Sequence, residues 1–313
     1  MDNIYENRMF AVGKAWHDKG IRVDKEVTSA EAIKLAKLDY EIKKVDLFTK
    51  EGVKAEGFLG NMNTQNNKVL GIVSDRYKIV QNVEAFSFFD NIVKSGEAFY
   101  HSAGALGNGE RIWLLAKLPQ NLMVFKDIDI VEKYLLLTNC HDGKGSLLMY
   151  FTPIRVVCQN TLIASYKDSK DGISIRHMGD IKTKTDGARI ALGFALDFYK
   201  DFDKQALSMV NTNMNIEGAR EYFNRVCNIN EAEKELSTQA ENTRSRLLQL
   251  FREGKGNSID GVKDTVWAGY NAVTEYADFH KTIKGDNRIQ SILFGSAADL
   301  KRRAFQEAMV LIK

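Results

Sequence analysis

Ala98-Phe99-Tyr100-His101-Ser102-Ala103-Gly104-Ala105-Leu106-Gly107-Asn108-Gly109-Glu110-Arg111-Ile112-Trp113-Leu114-Leu115-Ala116-Lys117-Leu118 reads as two β-strands joined by a tight turn. Asn and Gly tolerate the positive φ that such turns require, so Gly107-Asn108-Gly109 is a strong hairpin signal. A second hairpin follows: Tyr134 to Thr138 and Ser146 to Phe151 flank His141-Asp142-Gly143-Lys144-Gly145. Upstream, Tyr40 to Phe48 and Val69 to Val73 read as strands with a polar turn at Asn61 to Lys68. Glu84 to Ser95 places Phe86, Phe88, Phe89, Ile92 and Val93 at helical spacing. Strands that cluster, instead of alternating with helices, give an α+β fold: an antiparallel, hairpin-rich sheet with a helix packed on it.

From Asp186 the apolar period changes from 2 to about 3.6. Ala188 to Val210, Ile216 to Val226, Glu231 to Glu253, Val262 to Lys281 and Ala298 to Ile312 read as helices. Before the sheet, Thr28 to Asp39 carries a Thr or Ser cap, Glu31 in its first turn and an apolar stripe at Ile33, Leu35, Ala36 and Leu38. The expected organisation is an amino-terminal arm and helix (1–39), an α+β sheet core (40–185) and an all-helical carboxy-terminal region (186–313).

At 313 residues, 44% apolar and 27% charged, the chain has the composition of a globular protein. No apolar run approaches the roughly 18 residues that cross a bilayer, and the first ten residues lack the pattern of a signal peptide, so a cytoplasmic protein with no membrane partner is expected. Cys140, Cys158 and Cys227 are widely spaced and odd in number, which fits a reducing compartment. No phosphate-loop or dinucleotide-binding glycine pattern occurs, which argues against an ATPase or a Rossmann dehydrogenase. No cofactor is implied. The formal net charge of +3 points to no partner by itself, because phosphate affinity depends on local clusters of Lys and Arg.

Several short stretches carry candidate chemistry. In Asp75-Arg76-Tyr77-Lys78-Ile79-Val80-Gln81-Asn82, an extended segment would turn Arg76 and Lys78 to water while Tyr77 and Ile79 pack inward, an arrangement that suits a nucleic-acid backbone. The bland alternative is a solvated strand leading into a helix. In Phe151-Thr152-Pro153-Ile154-Arg155-Val156-Val157-Cys158-Gln159-Asn160-Thr161-Leu162, one arginine interrupts an apolar run that ends in a polar patch. Arg155 with Gln159, Asn160 and Thr161 either binds a phosphate or carboxylate or forms a structural network that closes the sheet. Cys140, His141 and Asp142 have the residue types of cysteine catalysis, but neighbours on a strand point to opposite faces, and a hairpin turn explains them more simply. A metal site from Cys140, His141 and Cys158 matches no structural zinc spacing. Arg176-His177 and Lys182 and Lys184 lie in a stretch, Lys133 to Asp186, with eight Lys or Arg against five Asp. Trp16-His17 reads as an anchor that docks the amino-terminal arm onto the sheet, and Trp267, Tyr270 and Asn271 share a helical face that reads as packing against the sheet core, with a ligand platform as the alternative.

Taken together, Trp16-His17-xx-Gly20, Asp75-Arg76-Tyr77-Lys78 with Gln81-Asn82, His141-Asp142-Gly143, Phe151 to Cys158 with Asn160-Thr161, Arg176-His177 and Trp267 to Tyr276 resemble the phage/plasmid-like proteins of unknown function (domain of unknown function 932) over nearly the whole chain. That resemblance implies a mobile-element origin and no particular reaction. More distantly, hairpins packed on a helix with basic strands look like the core of phage single-strand annealing proteins. This likeness implies homo-oligomers that bind single-stranded DNA, with Arg76, Lys78, Arg111, Arg155, Arg176 and Lys182 on phosphates and Tyr77 stacking on a base. A non-enzymatic protein that modulates a host defence or replication factor through its helical region is the alternative. A small hydrolase built on His141, Asp142 and Cys158 is a third.

Overall fold

A computed structural model describes residues 9–13, 20–93, 96, 98–125, 129–144, 147–162, 173–175, 181–230, 237–283 and 288–313. The fold is α+β, and the chain divides into two compact units whose segments interleave in sequence. The first unit comprises residues 1–119, 134–151 and 169–195; the second comprises 120–133, 152–168 and 196–313.

The first unit holds two sheets. One is three-stranded, in the order β3 (Ile42–Phe48), β4 (Lys54–Asn63), β5 (Lys68–Ser74). The other is seven-stranded and contains both expected hairpins: β6 (Phe99–Leu106) with β7 (Arg111–Lys117), and β10 (Tyr134–Cys140) with β11 (Leu147–Phe151). It is completed by β13 (Ile173–Ile175) beside β11 and, beside β6, by β1 (Met9–Val12) and β2 (Ile21–Val23), which pair in parallel. Positive φ in the first hairpin turn falls on Gly107 (62°) and Gly109 (106°), not on Asn108, whose backbone N–H and side-chain amide both donate to the Glu110 carboxylate.

Helix α1 (Ser29–Leu35) begins with the capping box the sequence implies, Thr28 and Glu31 satisfying each other's backbone N–H groups. It packs beside α2 (Asn82–Val93), whose Phe86 and Phe89 rings lie against Tyr100 of β6. Phe10, Phe86, Phe89, Tyr100, Trp113 and Tyr134 are the large buried side chains here.

The second unit carries a small sheet, β8 (Leu122–Phe125), β9 (Asp129–Glu132) and β12 (Ile154–Arg155), with β9 in the middle. So the apolar run around Arg155 becomes a two-residue strand after β11 ends at Phe151, where one longer strand was expected. The helices are α3 (Ile181–Asn211, in this unit from Leu196), α4 (Ile216–Cys227), α5 (Thr238–Glu253), α6 (Val266–Glu275), α7 (Arg288–Phe294) and α8 (Ser296–Leu311). Three helices start at side chains that accept from a backbone N–H, Asn215, Ser237 and Thr265, as orphaned donors at a helix start require. All ten residues of α6 are buried, which makes it the central helix of the unit, and five further residues, Tyr276–His280, continue it as a π-helix. Trp267 and Tyr270 of α6 pack against Phe202 of α3 and Phe305 of α8, so the rings lie among the helices of this unit, where packing against the sheet core was expected.

Among the described residues no helix is long and apolar enough to cross a membrane.

Candidate nucleic-acid interface

The Asp75–Asn82 stretch is not a strand. After β5 the chain turns at Asp75 and Arg76 and then runs as irregular backbone into α2. Side chains fix it from several directions. Lys44 of β3 donates through Nζ to the Asp75 carbonyl at 2.6 Å, the Tyr77 hydroxyl donates to the Cys140 carbonyl at 3.2 Å, and Asn139 Nδ2 donates to the Val80 carbonyl at 2.9 Å. The Gln81 amide closes a two-way bond with the backbone of Ile42, at 3.0 and 2.8 Å. Arg76 and Lys78 stay exposed on this tethered loop, and Tyr77 is half-buried, its hydroxyl pushed upward in pKa by that burial. On the neighbouring strand Arg111 donates through Nε to the Cys140 thiol at 3.0 Å. Burial raises the Cys140 pKa, with Arg111 acting in the opposite direction. Four of the residues expected on nucleic acid, Arg76, Tyr77, Lys78 and Arg111, are therefore gathered about the end of β10, and Lys44 joins them.

His141 follows Cys140 but faces elsewhere, as neighbours on an extended backbone do. Its Nε2 lies 2.9 Å from Asn82 Oδ1, and Asn82 already uses its amide nitrogen on the Leu38 carbonyl, so Nε2 is the donor. The ring is fully buried, and burial pushes its pKa down to about 4. It is neutral near pH 7 and ties the hairpin to the start of α2. The hairpin also presses on β5: a Cβ on Gly71 would stand 2.4 Å from the Asp142 carbonyl oxygen.

Arg155 lies in the second unit and is fully buried. Every N–H of its guanidinium is used. Nε and Nη2 form a fork on the Asp129 carboxylate at 2.7–2.9 Å, Nη2 also reaches the Gly256 carbonyl at 3.0 Å, and Nη1 reaches the Lys255 carbonyl and Asn257 Oδ1, each at 3.2 Å. Asp129 accepts a further bond from Trp267 Nε1 at 2.8 Å. This geometry matches the structural-network alternative, since a buried charge pair holds only when its remaining hydrogen-bonding capacity is filled. Cys158 sits beneath it, with a pKa pushed up to about 11 by burial.

The polar patch divides. Gln159 is half-buried at φ 58° in the turn after β12, its N–H donating to the Arg155 carbonyl. Asn160 and Thr161 are buried: Asn160 Nδ2 donates to Thr274 Oγ1 at 3.1 Å, and Thr161 donates through both N–H and hydroxyl to Asp278, at 2.7 and 2.8 Å. Lys301 of α8, also buried, donates to Thr161 Oγ1 and, at 2.7 Å, to Asp278. Burial lowers the Lys301 pKa, and Asp278 opposes that shift. The patch thus ties the strand segment to the π-helix and α8 inside one unit.

Arg176 and His177 lie outside the described residues, as do Trp16 and His17; Lys182 falls in α3 at a position where only the backbone is described. Among the described residues no group of three His, Cys, Asp or Glu is placed to hold a metal ion. The sequence pointed to Asn82 only as part of the Gln81-Asn82 motif, and not to Lys44, Asp129, Asn257 or Lys301. Lys301 alone left a trace, because it falls on the stripe Ala297, Leu300, Ala304 and Ala308 that is otherwise apolar and buried.

A family model described as a domain of unknown function (DUF932) matches residues 69–302, and the chain belongs to that family. No curated protein and no solved structure matches the chain.

Proposed function

We propose that this DUF932 chain binds single-stranded DNA without sequence preference, in the recombination, replication or maintenance of a phage or plasmid. One observation supports the reading above others: Arg76 and Lys78 project from a loop that Lys44, Gln81, Tyr77 and Asn139 hold in place, beside Arg111. Cations on a loop already ordered lose little freedom when they meet phosphates, so more of the electrostatic gain is kept as affinity. Contacts from Arg76, Lys78 and Arg111 to backbone phosphates carry no sequence information, so binding follows the backbone charge. Arg155 takes no part, because its guanidinium is saturated by protein acceptors.

The test is fluorescence anisotropy of the full chain with labelled single-stranded and duplex oligonucleotides across a salt series. Binding should prefer the single strand and weaken with salt, each phosphate contact adding about 0.7 to the slope of log K against log salt. Arg76→Gln with Lys78→Gln should flatten that slope. Undetectable binding at low salt, or binding indifferent to salt, sinks the proposal.

A second reading, binding of a host protein, was expected to use the helical region, but the apolar surface that favours it is the exposed face of β3–β5. There Phe58 (56% exposed), Val69 (47%) and Ile72 (63%) share a face with Val45 and Leu47, over Gly60, which has no side chain. Apolar faces of this kind mark protein contacts. Ile72→Glu would abolish such a complex and leave DNA affinity unchanged; an undiminished complex in that variant removes the reading.

A further inference from the structure

In the second unit, three consecutive residues of the π-helix each meet a cation from elsewhere. Arg288 of α7 donates through Nη1 to the Asp278 carbonyl at 2.8 Å. Lys255, in the loop after α5, places Nζ 6.0 Å from the centre of the Phe279 ring. Arg246 of α5 sets Nη2 at 3.2 and 3.4 Å from the two ring nitrogens of His280.

Closing the end of a helix explains only part of this gathering. Free carbonyls at a helix end attract cations. Here the Lys281 N–H already meets the Tyr276 carbonyl, and Arg288 meets that of Asp278. Arg246 and Lys255 meet no carbonyl of the π-helix; they stand over rings. The His280 pKa is lowered, first by burial and then by the charges of Arg246, Lys255 and Arg288. Two carboxylates lie near. Asp278 is engaged by Lys301 and Thr161 in the interior. Glu275 accepts from the Lys255 N–H at 3.0 Å and stands 3.9 Å from His280, and burial raises its pKa. Three cations thus face one carboxylate besides Asp278, that of Glu275, itself only 6% exposed, and beside them Phe279 is 42% exposed. An exposed aromatic ring inside a surplus of cations is the pattern on which nucleotides bind, the phosphate held by charge and the base by stacking.

We propose that Arg246, Lys255 and Arg288 form a phosphate site for a nucleotide, free or within a DNA strand, whose base lies on Phe279. Arg288 supplies a guanidinium already oriented by the Asp278 carbonyl, and Lys255 and Arg246 turn from their rings toward the phosphate. The site lies wholly in the second unit and shares no residue with the loop Asp75–Asn82.

The experiment uses the full chain, with dTMP followed by saturation-transfer NMR and labelled oligo(dT) by anisotropy. The wild type should transfer saturation to the thymine protons. Arg246→Gln with Lys255→Gln should weaken binding about tenfold, the scale of a lost charge-assisted contact, and Phe279→Ala should remove the transfer to the base. Both variants change surface side chains, and an unchanged unfolding midpoint shows that the fold is kept. Loss with both probes supports a strand path through the site; loss with dTMP alone supports a free-nucleotide site. Binding of both probes at wild-type strength in both variants, or no binding of either by the wild type, overturns the proposal. Arg76→Gln with Lys78→Gln, run in parallel, separates this site from the first: full binding there defeats the loop reading and leaves this one standing.

Discussion

Arg76 and Arg155 are the same side chain put to opposite uses in the two units. Arg76 stands exposed on a loop whose backbone is tethered by other residues, and among the described residues no hydrogen bond or ion pair holds its guanidinium. Arg155 is fully buried and spends all five N–H groups on one carboxylate, two carbonyls and an amide. Lys78 and Lys301 repeat the contrast. A basic residue offers charge to a partner only where the fold leaves that charge unspent. The first unit keeps such charge at its surface in Arg76 and Lys78, whereas the second consumes it in its interior at Arg155 and Lys301.

The contrast is open to direct attack. Its largest expected effect is at Arg155, where Arg155→Ala strands Asp129 as a buried charge and should cost about 3–5 kcal/mol in denaturant unfolding. A loss within experimental error would show that the network is not structural. Next in size is His141. Its folded pKa of about 4 lies below the usual value near 6.5, so below pH 6.5 the unfolded chain binds the extra proton. The stabilisation is complete above pH 6.5 and declines by about 3 kcal/mol as pH falls through 4. Stability measured against pH should show this slope in the wild type and lose it in His141→Gln, whatever that variant's absolute stability. Smaller again is Gly256→Ala. Gly256 has φ 76°, and a Cβ there would stand 2.5 Å from Val157 Cγ1 and 2.9 Å from Arg155 Nη2, so a loss of about 1–3 kcal/mol is expected in the same unfolding assay. The smallest effect on stability, within about 0.5 kcal/mol, should come from Arg76→Gln with Lys78→Gln, the pair expected to change DNA affinity most. A large destabilisation there would place these side chains in a network like that of Arg155 and erase the contrast.

Much of the fold is legible before any coordinates. Both hairpins, the Thr28 cap and the change of period near Asp186 are local signals, and each corresponds to an element of the structure. Elements lacking such a signal stayed hidden. Strands β1, β2, β8 and β13 are three or four residues long, too short for a period to register. The loop Asp75–Asn82 alternates charged and apolar residues as a strand would, yet its Asp75 and Val80 carbonyls accept from side chains of β3 and β10, and its Gln81 side chain bonds the backbone of Ile42. At the candidate site, the sequence could nominate Arg76, Tyr77, Lys78 and Arg111 but gave no sign that Cys140 brings them together. It nominated Arg155 on the same grounds and left open whether ligand or protein would satisfy it.

The amino-acid sequence by itself determined the α+β class, the hairpins, the Thr28 cap and membership of the DUF932 family, because these rest on residue type and spacing along the chain. Tertiary structure alone decided which charges are available. Asp129 and Trp267, which close the network on Arg155, lie 26 residues before and 112 residues after it. No local pattern records a partner at that distance, and the desolvation that makes it indispensable exists only once the chain has folded around it.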